Sequence, residues 1–186
     1  MNTKALAVAL ALVIVAAPAS AQNLISSKSE IAFTSRQMGV PVDGKFKKFS
    51  AHLLFNPKRP QDAKLAFVID LASVTFGAPE TDAEIAKPDW FDTKRFPQAR
   101  FESTVVRAIG PDKFEVSGML SLKRTSREII IPFSFTPGES EALASGSFLL
   151  KRLEFGIGDG EWKDTAMVAN EVQVRFRFAI SGVPKI

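Results

Sequence analysis

One histidine, two close carboxylate pairs and one glycine-rich stretch are the residues whose types and spacing could do chemistry. His52 could act as a general base or a metal ligand. A metal site needs further ligands, and the chain has no second histidine and no cysteine. His52 lies in KFKKFSAHLLFN (45–56), opposite the apolar series Phe49, Ala51 and Leu53, and so reads as a surface residue. Asp82/Glu84 and Asp89/Asp92 are spaced for paired acid and base work, but solvated pairs of this kind are ordinary. Asp82 falls in the first turn of a predicted helix, where the dipole favours a carboxylate. FGIGDGEW (155–162) contains G-x-G-x-G after a strand, but no helix follows it, so it is a weak dinucleotide fingerprint and reads as a mobile loop. No nucleophile–base pair can be assembled from these residues. The chemistry that remains is binding, with no enzyme activity and no metal.

The elements that would position a binding site are strands. Apolar and polar residues alternate over 29–36, 45–56, 63–71, 99–109, 113–123, 127–136, 141–155 and 171–181. MGVPVDG (38–44) reads as a turn-rich connection. Phe46 is out of step with Phe49, which predicts a bulge near Lys47-Lys48, and Pro132 predicts an edge or bulge position. One short helix is expected near 80–87. Eight antiparallel strands in meander order predict an all-β, up-and-down, eight-stranded barrel. A barrel of that size is either filled by side chains or holds one small ligand. Inward small residues (Ala51, Ala99, Ser103, Gly118) favour open space beside the rings. The segment DAEIAKPDWFDTKRFPQARFES (82–103) is irregular and rich in rings, and reads as an aromatic lid over an open barrel end. Strand centres and lid then nominate Phe33, Phe67, Trp90, Phe91, Phe101, Phe114, Leu120, Phe133, Phe148 and Phe176 as lining for a ligand.

The ends and the composition bound the rest. Lys4, an unbroken apolar run from Ala5 to Ala17 and Ala19-Ser20-Ala21 predict a signal peptide over 1–21 and a barrel domain over 22–186, exported to the periplasm. The formal charge of +4, less that of Lys4, leaves a mildly basic +3 with no Lys/Arg run, which argues against nucleic acid. A pI near 9.4 is compatible with transient contact with an anionic inner-membrane surface. Sixteen Phe against two Trp and no Tyr imply a large interior without polar handles.

The segments SEIAFTSRQMGVPVDGKFKKFSAHLLFNP, DAEIAKPDWFDTKRFPQARFES, FEVSGMLSLKRTSREIIIPFSF and FGIG together resemble the YceI family, over almost all of the chain after residue 21. The most specific stretch is D-W-F-D-x-x-x-F-P-x-x-x-F-x-S, residues 89–103. The resemblance implies a lipocalin-like barrel whose apolar tunnel takes an isoprenoid lipid, a quinone or a polyisoprenoid, with no other cofactor. Two positions depart from the family pattern: Gln37 stands where H-x-G is usual, and Arg124 stands at a usual glycine. Arg36, Gln37, Lys123 and Arg124 thereby become candidates for headgroup contacts at the mouth. A second reading stays open: a filled barrel serving as a structural partner of a membrane redox or stress-response system, docking through Lys151, Arg152, Arg175 and Arg177. A homodimer through an outer sheet face also stays open. A lipid hydrolase or isomerase is disfavoured for want of a base.

Overall fold

Period-2 alternation builds almost every element of this protein. The structure is a computed structural model and describes residues 22–183. The expected signal peptide lies outside the described residues. The strands are β1 (Asn23–Leu24), β2 (Glu30–Gln37), β3 (Val40–Phe46), β4 (Phe49–Leu54), β5 (Lys64–Asp70), β6 (Val74–Thr75), β7 (Gln98–Gly110), β8 (Lys113–Leu122), β9 (Thr125–Thr136), β10 (Glu141–Lys151) and β11 (Glu171–Ser181). The one α-helix, α1, spans Pro79–Ile85. All pairings are antiparallel, in the order β4-β5-β7-β8-β9-β10-β11-β2-β3-β6, with β1 also on β11.

Those eleven segments reduce to the eight expected strands. β3 and β4 are one bent strand, and β5 and β6 are another. Phe46 pairs with Val74 and Phe49 with Ile69 on either side of the bend. In between, the Lys47 N–H donates to the Ser73 carbonyl (3.1 Å) and the Asp70 N–H to the Lys48 carbonyl (3.0 Å). The irregularity predicted at Lys47-Lys48 is therefore where the barrel bends, and the hairpin it bends is the one that joins the two ends of the strand order. β1 continues the line of β2 along β11.

Three expectations need correction. Residues 40–46 are strand, paired with β2 from Gln37↔Val40 to Ile31↔Phe46. Pro41 and Gly44 disguise it, and Pro41 is tolerated because β3 gains its second neighbour only at Lys45 and Phe46. Strand β10 stops at Lys151, and Arg152–Phe155 form a 3-10 turn closed by Gly156 in the left-handed region (φ 64°). Gly118 leaves no open space. The Phe101 ring lies over it, and a Cβ there would come within 2.6 Å of that ring's Cζ. Pro132 does mark an edge. β9 pairs with β8 along Thr125–Ser134 but with β10 only from Phe133 to Thr136, so the two strands part where Pro132 stands.

The core is aromatic. Phe55, Phe114, Phe133 and Phe135 meet at ring separations of 4.8–5.7 Å and close one end of the barrel.

Candidate functional site: a two-chambered apolar interior under a lid

Two cavities run end to end inside the barrel. The inner one, about 120 Å³, rests on Phe55, Phe133 and Phe135 and has no polar lining. The outer one, about 140 Å³, reaches Trp90, Phe91 and Ile85 of the lid. Ile31, Ile69, Leu120, Phe148 and Val174 border both, so the two are chambers of one interior. Each matches the scale of an apolar cavity of ~150 Å³, which stays dry and accepts a molecule the size of benzene.

The lid is a tightly folded piece. α1 begins with Pro79 and carries Glu80 and Asp82 in its first turn. The Asp82 carboxylate accepts hydrogen bonds from the Phe76 N–H and the Thr75 hydroxyl (both 2.7 Å), which hold it below the usual carboxylate range. Beyond the helix, the Phe91 N–H donates to the Ile85 carbonyl and the Asp92 N–H to the Lys87 carbonyl (3.0 and 2.9 Å). This turn swings Trp90 and Phe91 inward. The close carboxylates do not meet as pairs: Asp92 is buried and bonded to Arg95, and Glu84 to Lys87. His52 is exposed on β4, and no group of three or more metal-ligating side chains occurs among the described residues.

The lid is fastened by the glycine-rich loop and by Arg152. The Gly158 and Asp159 N–H groups both donate to the Asp89 carbonyl (2.8 Å). Arg152 is 2 % exposed, and its guanidinium donates to the carbonyls of Ile157, Gly158, Trp162, Val168 and Ala169. It sits 5.8 Å from the Trp90 ring centroid. No carboxylate pairs with it among the described residues, and burial pushes its pKa down from the ordinary arginine value. Gly158 (φ 82°) stands against it, where a Cβ would collide with Nη1. FGIGDG thus supplies two of the five carbonyls that cage a buried cation, and residues 162–169 supply the rest. Arg152 is therefore no surface docking residue. The glycine run that directly follows marks a loop in the sequence, but nothing in it marks a buried cation.

The expected lining residues divide. Phe67, Phe101, Phe133 and Phe176 line the inner chamber, Phe33, Trp90 and Phe91 the outer one, and Leu120 and Phe148 both. Phe114 lines neither; it is stacked on Phe133 in the end plug. Arg36 is exposed and bonded to the Gly39 carbonyl. Gln37 borders an outer groove that Trp90 and Ile85 separate from the outer chamber. Lys123 donates to the carbonyls of Pro88 and Gly156 (3.1 and 2.6 Å), so it staples lid to loop, and Arg124 is exposed. Sequence reasoning missed Phe46, Phe76 and Ile157, which complete the outer chamber from the out-of-step end of β3 and from two loops without alternation.

Known proteins agree with this architecture. Residues 23–180 match the YceI-like domain. A UPF0312 protein of Azotobacter vinelandii is 30% identical over 137 residues, covering 70% of this chain and 69% of its own. The crystal structure of Burkholderia cenocepacia BcnA superimposes with a TM-score of 0.82 at 36% identity, over 84% of this chain and 99% of that one. A polyisoprenoid binding domain from Saccharophagus degradans shares the fold, with a TM-score of 0.71 at 17% identity, over 89% of this chain and 99% of its own. With the matched domain spanning the whole lidded barrel, this chain belongs to the YceI-like family.

Proposed function

We propose that this protein is a periplasmic binding protein that carries one long-chain isoprenoid lipid, a quinone or a polyisoprenoid, inside the barrel. The observation that carries this reading is the apolar interior, two adjoining chambers walled mainly by Phe, Leu, Ile and Val and covered by an aromatic lid. An isoprenoid tail offers no hydrogen bonds, so such walls suffice. Burying about twelve carbons is worth roughly 10 kcal/mol before ordering costs. The polyisoprenoid binding named for the structural neighbour supports the same ligand class. Export is supported by the leader-like residues 1–21. The test is native mass spectrometry of protein purified from the periplasm, followed by organic extraction. A stoichiometric isoprenoid or quinone mass is expected. A clean apo mass, unchanged after incubation with ubiquinone and with isoprenoid alcohols, would overturn the reading and favour the filled, protein-docking barrel.

A further inference from the structure

Trp90 carries a polar atom that nothing in the fold uses. Its side chain is 8 % exposed, and its indole Nε1–H is the one buried side-chain nitrogen or oxygen without a hydrogen-bond partner among the described residues. Buried tryptophans normally find an acceptor, and leaving the donor unmatched costs about 1–3 kcal/mol. The ring lines the outer chamber and packs against Trp162 at 5.3 Å. The chamber's other polar lining is Ser35 and Arg152. All five Arg152 N–H donors are engaged by the carbonyls of Ile157, Gly158, Trp162, Val168 and Ala169, so Arg152 lends the chamber a charge but no free donor. A water molecule needs two to four polar partners and is poorly served here.

We infer that Trp90 Nε1–H receives the head of the ligand, and that this head is neutral and carries a single exposed acceptor, a carbonyl or quinone oxygen. The inference rests on the binding function proposed above and adds the orientation and the head chemistry. The head lies under the lid, and the tail runs past Leu120 and Phe148 into the inner chamber. The Trp90 donor, with the single Ser35 hydroxyl and the Arg152 charge on the same chamber, suits one electron-rich oxygen. A pure hydrocarbon leaves the donor unmatched. A phosphate or diphosphate brings more acceptor oxygens than the Trp90 and Ser35 donors can match, and buries a charge with them.

Three ligands with the same farnesyl tail separate these cases: farnesylacetone, a neutral ketone; farnesyl phosphate; and farnesene, a hydrocarbon. Binding is measured on the delipidated mature protein and its Trp90→Phe variant. The Trp90 indole N–H is followed by ¹⁵N–¹H NMR in the unaltered protein, which keeps the test valid should the variant fold poorly. The ketone is expected to shift the Trp90 indole proton downfield and to lose about tenfold in affinity in Trp90→Phe, equivalent to ~1.4 kcal/mol. Farnesene is expected to bind both proteins within twofold and to leave the indole proton in place. Equal losses for ketone and hydrocarbon would make Trp90 a wall only and overturn the inference, while the binding function stands. Tight phosphate binding with the same indole shift would overturn the neutral head. Failure of all three to bind would overturn the binding function and the head site with it.

Discussion

At the scale of single residues, Arg152 decides whether the lid has anything to close against. Its guanidinium satisfies five loop carbonyls, spread from Ile157 to Ala169. Arg152→Met keeps the apolar stem and removes every donor. The expected loss is about 3 kcal/mol or more, because buried carbonyls are stranded. Arg152→Lys keeps the charge but has three donors in place of five, and should recover only part of the loss. Urea denaturation of the three proteins checks the order. If Arg152→Met matches the unaltered protein, the loop holds itself and the cage is incidental. This arrangement was not legible beforehand. An arginine at the end of an alternating strand reads as surface, and only the fold shows the 157–169 loop turning its carbonyls inward.

At the scale of elements, the sheet is held in shape by rings laid over glycines. Phe101 lies over Gly118, and Phe33 over Gly44 in the β2–β3 hairpin. Such pairing lets strands curve tightly without leaving a void. The two glycines differ in what a methyl group would meet. At Gly44 every near atom belongs to the Phe33 ring, which can tilt toward the outer chamber. At Gly118 the nearest atom is the backbone carbonyl of Glu102, which cannot move without breaking the β7–β8 ladder. Gly118→Ala should therefore cost about 1–3 kcal/mol as overpacking. Gly44→Ala should cost less and shrink the outer chamber instead. Thermal unfolding orders the two variants, and equal costs would refute the distinction. Alternation made nearly all of these strands visible in the sequence. It failed at β3, where Pro41 and Gly44 look like turn residues, and at Arg152–Phe155, where a run of strand-like residues curls to deliver a buried cation.

At the scale of the whole molecule, the question is how a long chain fits two benzene-sized chambers. Leu120 and Phe148 are two of the five side chains that border both, and a tail passing from one chamber to the other must displace side chains of this set. Phe148 is half-buried and lies on β10 beyond the point where β9 and β10 part, so it has room to swing. Leu120→Trp should block the passage. Isoprenoids of one or two units should still bind the outer chamber, while longer tails lose about tenfold or more in affinity. A tail-length series by isothermal titration reads this directly. Loss at every length would mean the chambers are not filled in sequence. Ligand removal should also lower the melting temperature, since a ligand at 100 times its Kd adds about 2.7 kcal/mol to stability.

The sequence by itself determined the eight-stranded alternation, an irregularity at Lys47-Lys48, the helix and the apolar character of the interior. These depend on which residue types face which side of a strand, and a period of two records that locally. It also nominated Phe33, Phe67, Trp90, Phe91, Phe101, Leu120, Phe133, Phe148 and Phe176, all of which border the chambers. Tertiary structure alone decided that Phe114 joins a plug, that Gly118 seats a ring rather than leaving space, and that Lys123 and Arg152 fasten the lid instead of facing solvent. It alone left the Trp90 donor unmatched. Each of these depends on contacts between residues far apart in the chain, whose distances are set by how the barrel closes and not by any local pattern.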